Sequence, residues 1–281
     1  MINLVVALPA EAKPLIDHFF LKPTHAKPFR VFSTKPRGGP AANSGGQNES
    51  VRLIISGMRK EKSARAVSFL YELSGVQDEV WINIGIAGHR DHAIETGVLA
   101  HKIIDLKTNE SWYPAFVFHS PCATGTLLTV SRAVSRYQSP YVYEMEASGF
   151  YESALRYSTV ELIHCYKIIS DNSKSSHWKV TPRLAEQMIE NRLSDITFLI
   201  AELGRRAESL SALHIKTEEL EPFFKRWHFT VTQQFQLRRL LRRLKTFTSD
   251  QAAPNEFEAL QNSSQVLAAL NDRVRQVPVH L

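Results

Sequence analysis

The sequence predicts a layered α/β domain followed by a helical extension, and three observations carry that prediction. Short apolar runs alternate with amphipathic helical stretches through the first two hundred residues. Beyond Gly204 only helical patterns remain. At 43% hydrophobic and 22% charged, 281 residues can bury a substantial core, which excludes disordered and fibrous classes.

INLVVAL (2–8) opens as a strand, and a helix is expected from Pro9 or Ala10 to Phe20. Pro14 is tolerated there if it falls in the first turn, where its missing N–H matters least. FRVFST (29–34) and VRLIISG (51–57) read as strands on either side of KPRGGPAANSGGQNE (35–49), whose Gly, Pro, Asn and Ser cannot pack a core and predict a hairpin loop. A helix over 61–73 leads to VWINIGIAG (80–88), a near-continuous apolar strand suited to burial on both faces. VLAHKIID (98–105), TLLTV (126–130), PYVYE (140–144) and VELIHCYKIISD (160–171) predict further strands. A long helix over 182–203 closes a first domain, residues 1–204. In the extension, 205–281, helices are expected over 205–213, 218–245 and 256–275, with TSDQAAPNE (248–256) as a linker.

The N-terminal apolar run lacks a basic leader and meets charge at Glu11, so it does not read as a secretion signal, and no apolar run reaches the length of a membrane span. Two cysteines, Cys122 and Cys165, without CxxC or zinc spacing, suit reduced thiols in a cytoplasmic protein with no metal or cofactor. The net charge is +6, unevenly spread: residues 1–204 hold 22 Lys/Arg against 20 Asp/Glu, and 205–281 hold 12 against 8. The sharpest basic cluster is LRRLLRRLK (237–245), where Leu237, Leu240, Leu241 and Leu244 recur at helical spacing between paired arginines. It reads as a docked amphipathic helix with a solvated charged face, or as a contact for nucleic acid or a protein.

Three acidic positions fall at predicted strand ends, where ligands bind in open α/β sheets: Glu11, the pair Glu144 and Glu146, and Asp171. Carboxylates gathered from separate strands suit acid/base work on a sugar, one protonating a leaving group while another positions water or hydroxyls. Each also has a plain alternative. Asp171, followed by Asn172 and Ser173, fits a turn or N-cap residue. Glu11 fits a first-turn glutamate favoured by the helix dipole. Glu144 and Glu146 bracket Met145 in a partly apolar stretch, and buried carboxylates need partners.

INIGIAG (82–88), YEMEASGFYESA (143–154) and KIISDNS (167–173), with LVVALPAEA (4–12) and SGMRKEKSA (56–64), occur in an order that resembles the nucleoside phosphorylase superfamily, in particular its methylthioadenosine/S-adenosylhomocysteine nucleosidase branch, over residues 1–204. The resemblance implies a three-layer αβα sandwich with a central mixed twisted sheet. It implies that Asp171 protonates or hydrogen-bonds the purine N7, that Glu146 binds the ribose hydroxyls, that Met145 packs on the sugar and that Glu11 orients water. Gly85, Ile86, Ala87, Gly88, Glu144 and Lys167 complete the implied substrate-binding set. A small-molecule nucleoside and a homo-oligomer follow by the same resemblance.

Four departures accompany it. Ile86 replaces a small polar residue, His89 replaces a glycine, Lys167 stands where arginine is usual, and aligning Glu11 requires a one-residue deletion. LPAEAKP stands where the phosphorylases carry a phosphate loop, which favours hydrolysis over phosphorolysis. A phosphate-dependent phosphorylase and a catalytically weakened nucleoside-binding scaffold remain the alternatives. His89, His92 and His119 read either as site residues or as plain loop histidines.

Overall fold

The computed structural model describes residues 1–25, 27–34, 50–134, 136–175, 180–213, 217–247 and 254–276. The chain divides into two compact units, Met1–Ala207 and Glu208–Leu281. The loop expected over 35–49 lies outside the described residues.

The first unit begins β1 (Ile2–Val6), α1 (Pro9–His18), β2 (Lys22–His25), β3 (Arg30–Ser33), β4 (Val51–Ile55), α2 (Lys60–Ser74) and β5 (Val80–His89). It continues β6 (Gly97–Asp105), β7 (Ser111–Trp112), β8 (Ala123–Thr129), β9 (Val142–Glu144), α3 (Ala147–Ala154), β10 (Ile163–Asp171), α4 (Pro182–Glu190) and α5 (Leu193–Leu213), which crosses the boundary between the units. The sheet is mixed and ordered β10-β6-β8-β9-β5-β1-β4-β3-β2, with β7 on β6. Because β10 also pairs with β5, strands β5, β9, β8, β6 and β10 close into a ring, and β1, β4, β3 and β2 extend from it.

The chain crosses from β1 to β4 through α1 and returns past β1 to β5 through α2. With right-handed crossovers, that reversal puts α1 and α2 on opposite faces. α4 packs with α1 and α3 with α2, giving the three layers. Every residue of β10 is buried, as is nearly all of β5, which explains their continuous apolar character. Val5, Ile54, Trp81, Val98, Phe150 and Ile169 belong to the main core.

Several elements differ from expectation. α1 starts at Pro9, so Pro14 falls in its second turn, where it is buried and leaves the Ala10 carbonyl without its helical donor. The helix expected over 182–203 breaks after Glu190, because Asn191 and Arg192 turn their side chains to Glu95, with Arg192 Nε donating to its carbonyl at 2.7 Å. α5 then absorbs the helix expected over 205–213. The short strands β2 and β7 carry no apolar alternation; β2 is fully exposed at the sheet edge, where Pro23 is admissible.

The second unit holds α6 (Thr217–Arg226), α7 (Val231–Phe247) and α8 (Ser263–Gln276), preceded by a 3₁₀ turn at Pro254–Phe257. Its own core includes Phe223, Trp227, Leu237, Leu241, Val266 and Leu270. One helix was expected over 218–245. A capping box divides it: Thr230 N–H donates to Gln233 Oε1 (3.0 Å) and Gln233 N–H to Thr230 Oγ1 (3.3 Å). No helix among the described residues is long and apolar enough to cross a membrane.

Candidate active site

The site forms where β5 changes neighbours. β10 runs along one edge of β5 from Trp81 to Gly88, while the other edge is shared by β1, pairing as far as Asn83, and β9, pairing at Gly88 and His89. Between them the amide of Ile86 has no strand partner on that side. Glu11 fills the gap, its Oε1 accepting the Ile86 N–H at 3.0 Å.

The other oxygen of Glu11 accepts from Ala7 N–H (3.0 Å) and Leu8 N–H (2.8 Å). Glu11 therefore does cap the start of α1, which Leu8 cannot do with its own side chain, and it also reaches across to β5. Three amides occupy three of the roughly four lone-pair positions of a carboxylate, leaving about one for a ligand. Burial raises its pKa above the ordinary carboxylate value, against the lowering effect of those amides and of Lys167.

Gly85 makes this packing possible. A Cβ there would lie 2.9 Å from Glu11 Oε1 and 3.5 Å from Lys167 Nζ. Because three amides pin the carboxylate, Gly85→Ala is expected to destabilise the protein by roughly 1–3 kcal/mol. A urea titration checks this: the midpoint should fall with an unchanged slope, and an unmoved midpoint would show the Glu11 carboxylate to be freely displaceable.

Lys167 stands opposite Gly85 on β10, 1% exposed, with Nζ 3.2 Å from Glu144 Oε2 and 3.8 Å from Glu146 Oε2. Burial disfavours its charge, but Glu144, Glu146 and Glu11 outweigh that and raise its pKa. Glu144 is fully committed to structure: Oε1 accepts from Thr129 Oγ1, and Oε2 accepts from Glu146 N–H (2.8 Å) and Ala147 N–H (2.7 Å) at the start of α3. Glu146 keeps more capacity. Its Oε1 accepts from Arg59 N–H at 2.9 Å, and burial first, then the proximity of Glu144, pushes its pKa up to about 7. Arg59 holds that amide in place from a positive φ of 92°, a strained conformation for an arginine.

Asp171 follows a bulge in β10, where the register to β5 slips between Ile169 and Asp171. Its carboxylate accepts from Ser170 Oγ at 2.7 Å and from the Tyr137 hydroxyl. It caps nothing: the turn that follows is closed by Asn172, whose Oδ1 accepts from Lys174 N–H (2.9 Å) and Ser175 N–H (3.0 Å). Burial and the bond to Asp171 raise the pKa of Tyr137, keeping it a donor.

These groups face one cavity of about 490 Å³, a size suited to a small ligand. Glu11, Glu144, Glu146 and Asp171 line it together with Ile86, Ala87, Gly88 and Met145, while Val130, Val134 and Val180 supply apolar wall. No Lys, Arg or His is among its described lining residues. Lys167 and Gly85 lie behind the carboxylates rather than at the surface of the cavity. His89 is turned away: its Nδ1 accepts from Asp91 N–H (3.0 Å) and His92 N–H (2.9 Å), burial lowers its pKa, and its ring packs on His92. His92 and His119 do not line the cavity either.

The Ile86 replacement proves compatible with the arrangement, since residue 86 contributes its amide, which any non-proline residue supplies. The sequence reading missed Tyr137, Ser170, Thr129 and the Arg59 amide. Tyr137 sits in a stretch without periodicity, and only folding carries it over Gly88 and onto Asp171.

Over about 72% of its length the chain shares its fold with solved nucleosidases. A 5′-methylthioadenosine nucleosidase from Arabidopsis thaliana in apo form superposes with a TM-score of 0.56 at 14% identity, covering 72% of this chain and 95% of that one. The 5′-methylthioadenosine/S-adenosylhomocysteine nucleosidase of S. pneumoniae with a transition-state inhibitor gives 0.54 at 16%, covering 71% and 97%. The futalosine hydrolase of Helicobacter pylori gives 0.52 at 12%, covering 72% and 97%. At these identities the likeness is one of fold. No family model matches the sequence, and no curated protein does so significantly.

Proposed function

We propose that this chain is a hydrolase that cleaves the N-glycosidic bond of a purine nucleoside or nucleoside thioether. The observation that carries this reading is the convergence of Glu11, Glu146 and Asp171, from three different strand ends, on a single mostly apolar cavity. The nucleosidases that share the fold support it.

In this mechanism Asp171 is the general acid: a proton passes from its carboxyl group to the base as the C1′–N bond breaks and the electron pair of that bond leaves with the base. Glu146 accepts hydrogen bonds from the ribose hydroxyls. A water held at the remaining acceptor position of Glu11 attacks C1′ and gives its proton to that carboxylate, whose raised pKa makes it a better base. Positive charge on the sugar meets three carboxylates against one ammonium, in a site where little water screens them. The absence of a cationic side chain among the described lining residues favours water over a phosphate dianion as nucleophile.

Glu146 must be ionised to accept from both hydroxyls. With its pKa near 7, kcat/KM is expected to climb with pH and level off above about 7, and Glu146→Gln should lose that limb together with most of the activity. A pH–rate profile that is flat from about 5 to 8 would remove Glu146 from the role. The proposal as a whole is tested by incubating the purified protein with a panel of purine nucleosides, with and without phosphate. Free base and free sugar at a phosphate-independent rate are expected. Sugar 1-phosphate would make the protein a phosphorylase, and binding without base release would make it a scaffold.

A further inference from the structure

We propose that the exposed face of α7 binds single-stranded nucleic acid through its phosphates, with an aromatic side chain stacking on a base. α7 uses one face up: Leu237, Leu240, Leu241 and Leu244 are buried in the core of the second unit. At about 100° per residue, Arg238, Arg239, Arg242 and Arg243 fall on the opposite arc, and Val231 and Phe235 project within the same arc. All four arginines are exposed, and Val231 and Phe235 are 70% and 65% exposed.

The sequence of α7 contains no acidic residue. Four other cations of this unit are paired: Lys245 with Glu219 (2.9 Å), Arg226 with Glu258 (3.1 Å), Lys225 with Glu221 (3.8 Å) and Arg273 with Glu256. The four arginines of the arc form no ion pair among the described residues. They are a strip of planar donors whose geometry matches phosphate oxygens.

The partner is polyanionic by charge, and two features make it nucleic acid in single-stranded form. The leucine face of α7 is consumed by the bundle, so the helix has no continuous apolar stripe to lay into a bilayer. Phe235 stands among guanidinium groups, the combination that single strands engage by stacking a base while the backbone tracks the charges; a duplex offers no free base face.

The test is fluorescence anisotropy of the full chain with labelled oligo(dT) and oligo(U) of about 16 nucleotides, over about 50–200 mM salt. Binding is expected, with log affinity falling against log salt at a slope near −3, about 0.7 for each of four phosphates. The stronger of the two probes identifies DNA or RNA as the natural form. The combined variant Arg238→Gln, Arg239→Gln, Arg242→Gln, Arg243→Gln should bind at least about thirtyfold more weakly with a shallower slope, while its circular dichroism stays unchanged. Phe235→Ala should weaken single-strand binding about tenfold and leave any duplex binding unaltered. The proposal is overturned if no oligonucleotide binds at the lowest salt, if the folded arginine variant binds as the native chain does, or if phosphatidylserine vesicles are retained while oligonucleotides are not.

Discussion

Asp171→Asn is expected to lower base release at least about a hundredfold, the usual contribution of a general acid, while leaving the fold intact. Asparagine keeps the shape and loses the transferable proton. Its neighbours tolerate the change, because the Ser170 and Tyr137 hydroxyls that donate to Asp171 can rotate to accept from an amide. Initial rates on the best nucleoside, beside a thermal melt, decide it. Retained activity in the folded variant would exclude Asp171 as the acid. A structural turn role does not then stand in reserve, because Asn172 closes that turn.

The second large effect belongs to Lys167. Lys167→Met is expected to cost roughly 3–5 kcal/mol at neutral pH, since it leaves Glu144, Glu146 and Glu11 buried without their cation. The pH dependence follows from the direction of the shifts. A carboxylate whose folded pKa is raised contributes stability that is present below its unfolded pKa and lost as pH rises through the folded one. For Glu146 in the native chain that window ends near 7. Removing the ammonium, which lowers the pKa of both Glu146 and Glu11, raises these two further, so the folded variant takes up protons and the deficit should shrink toward pH 5 and widen toward pH 8. Denaturant unfolding at about pH 5, 7 and 8 measures it. An equal deficit at all three would mean that Lys167 acts through packing and not through charge.

Much of the framework can be read locally. The apolar runs that became β1, β4, β5, β6 and β10 are visible because strands buried on both faces need nothing but apolar side chains. The Thr230–Gln233 capping box was also present in the sequence, as T-x-x-Q, and gave the break between α6 and α7 a local cause. The break between α4 and α5 had none, since its cause is Glu95, almost a hundred residues away in the chain.

For the site, residue identity and strand-end position single out Glu11, the pair Glu144 and Glu146, and Asp171, and hydrophobic patterning puts each at the end of an element. What only the tertiary structure decided is the pairing. The ring closed by β10 on β5 brings Lys167 opposite Gly85 and leaves the Ile86 amide to Glu11. It also separates Glu144, spent on α3 and Thr129, from Glu146, which retains capacity, and lays Tyr137 on Asp171. Patterning is local because burial is scored residue by residue along an element. Ion pairs, shared amides and pKa shifts depend on distances of a few ångströms between segments far apart in the chain, which exist only once the sheet has closed.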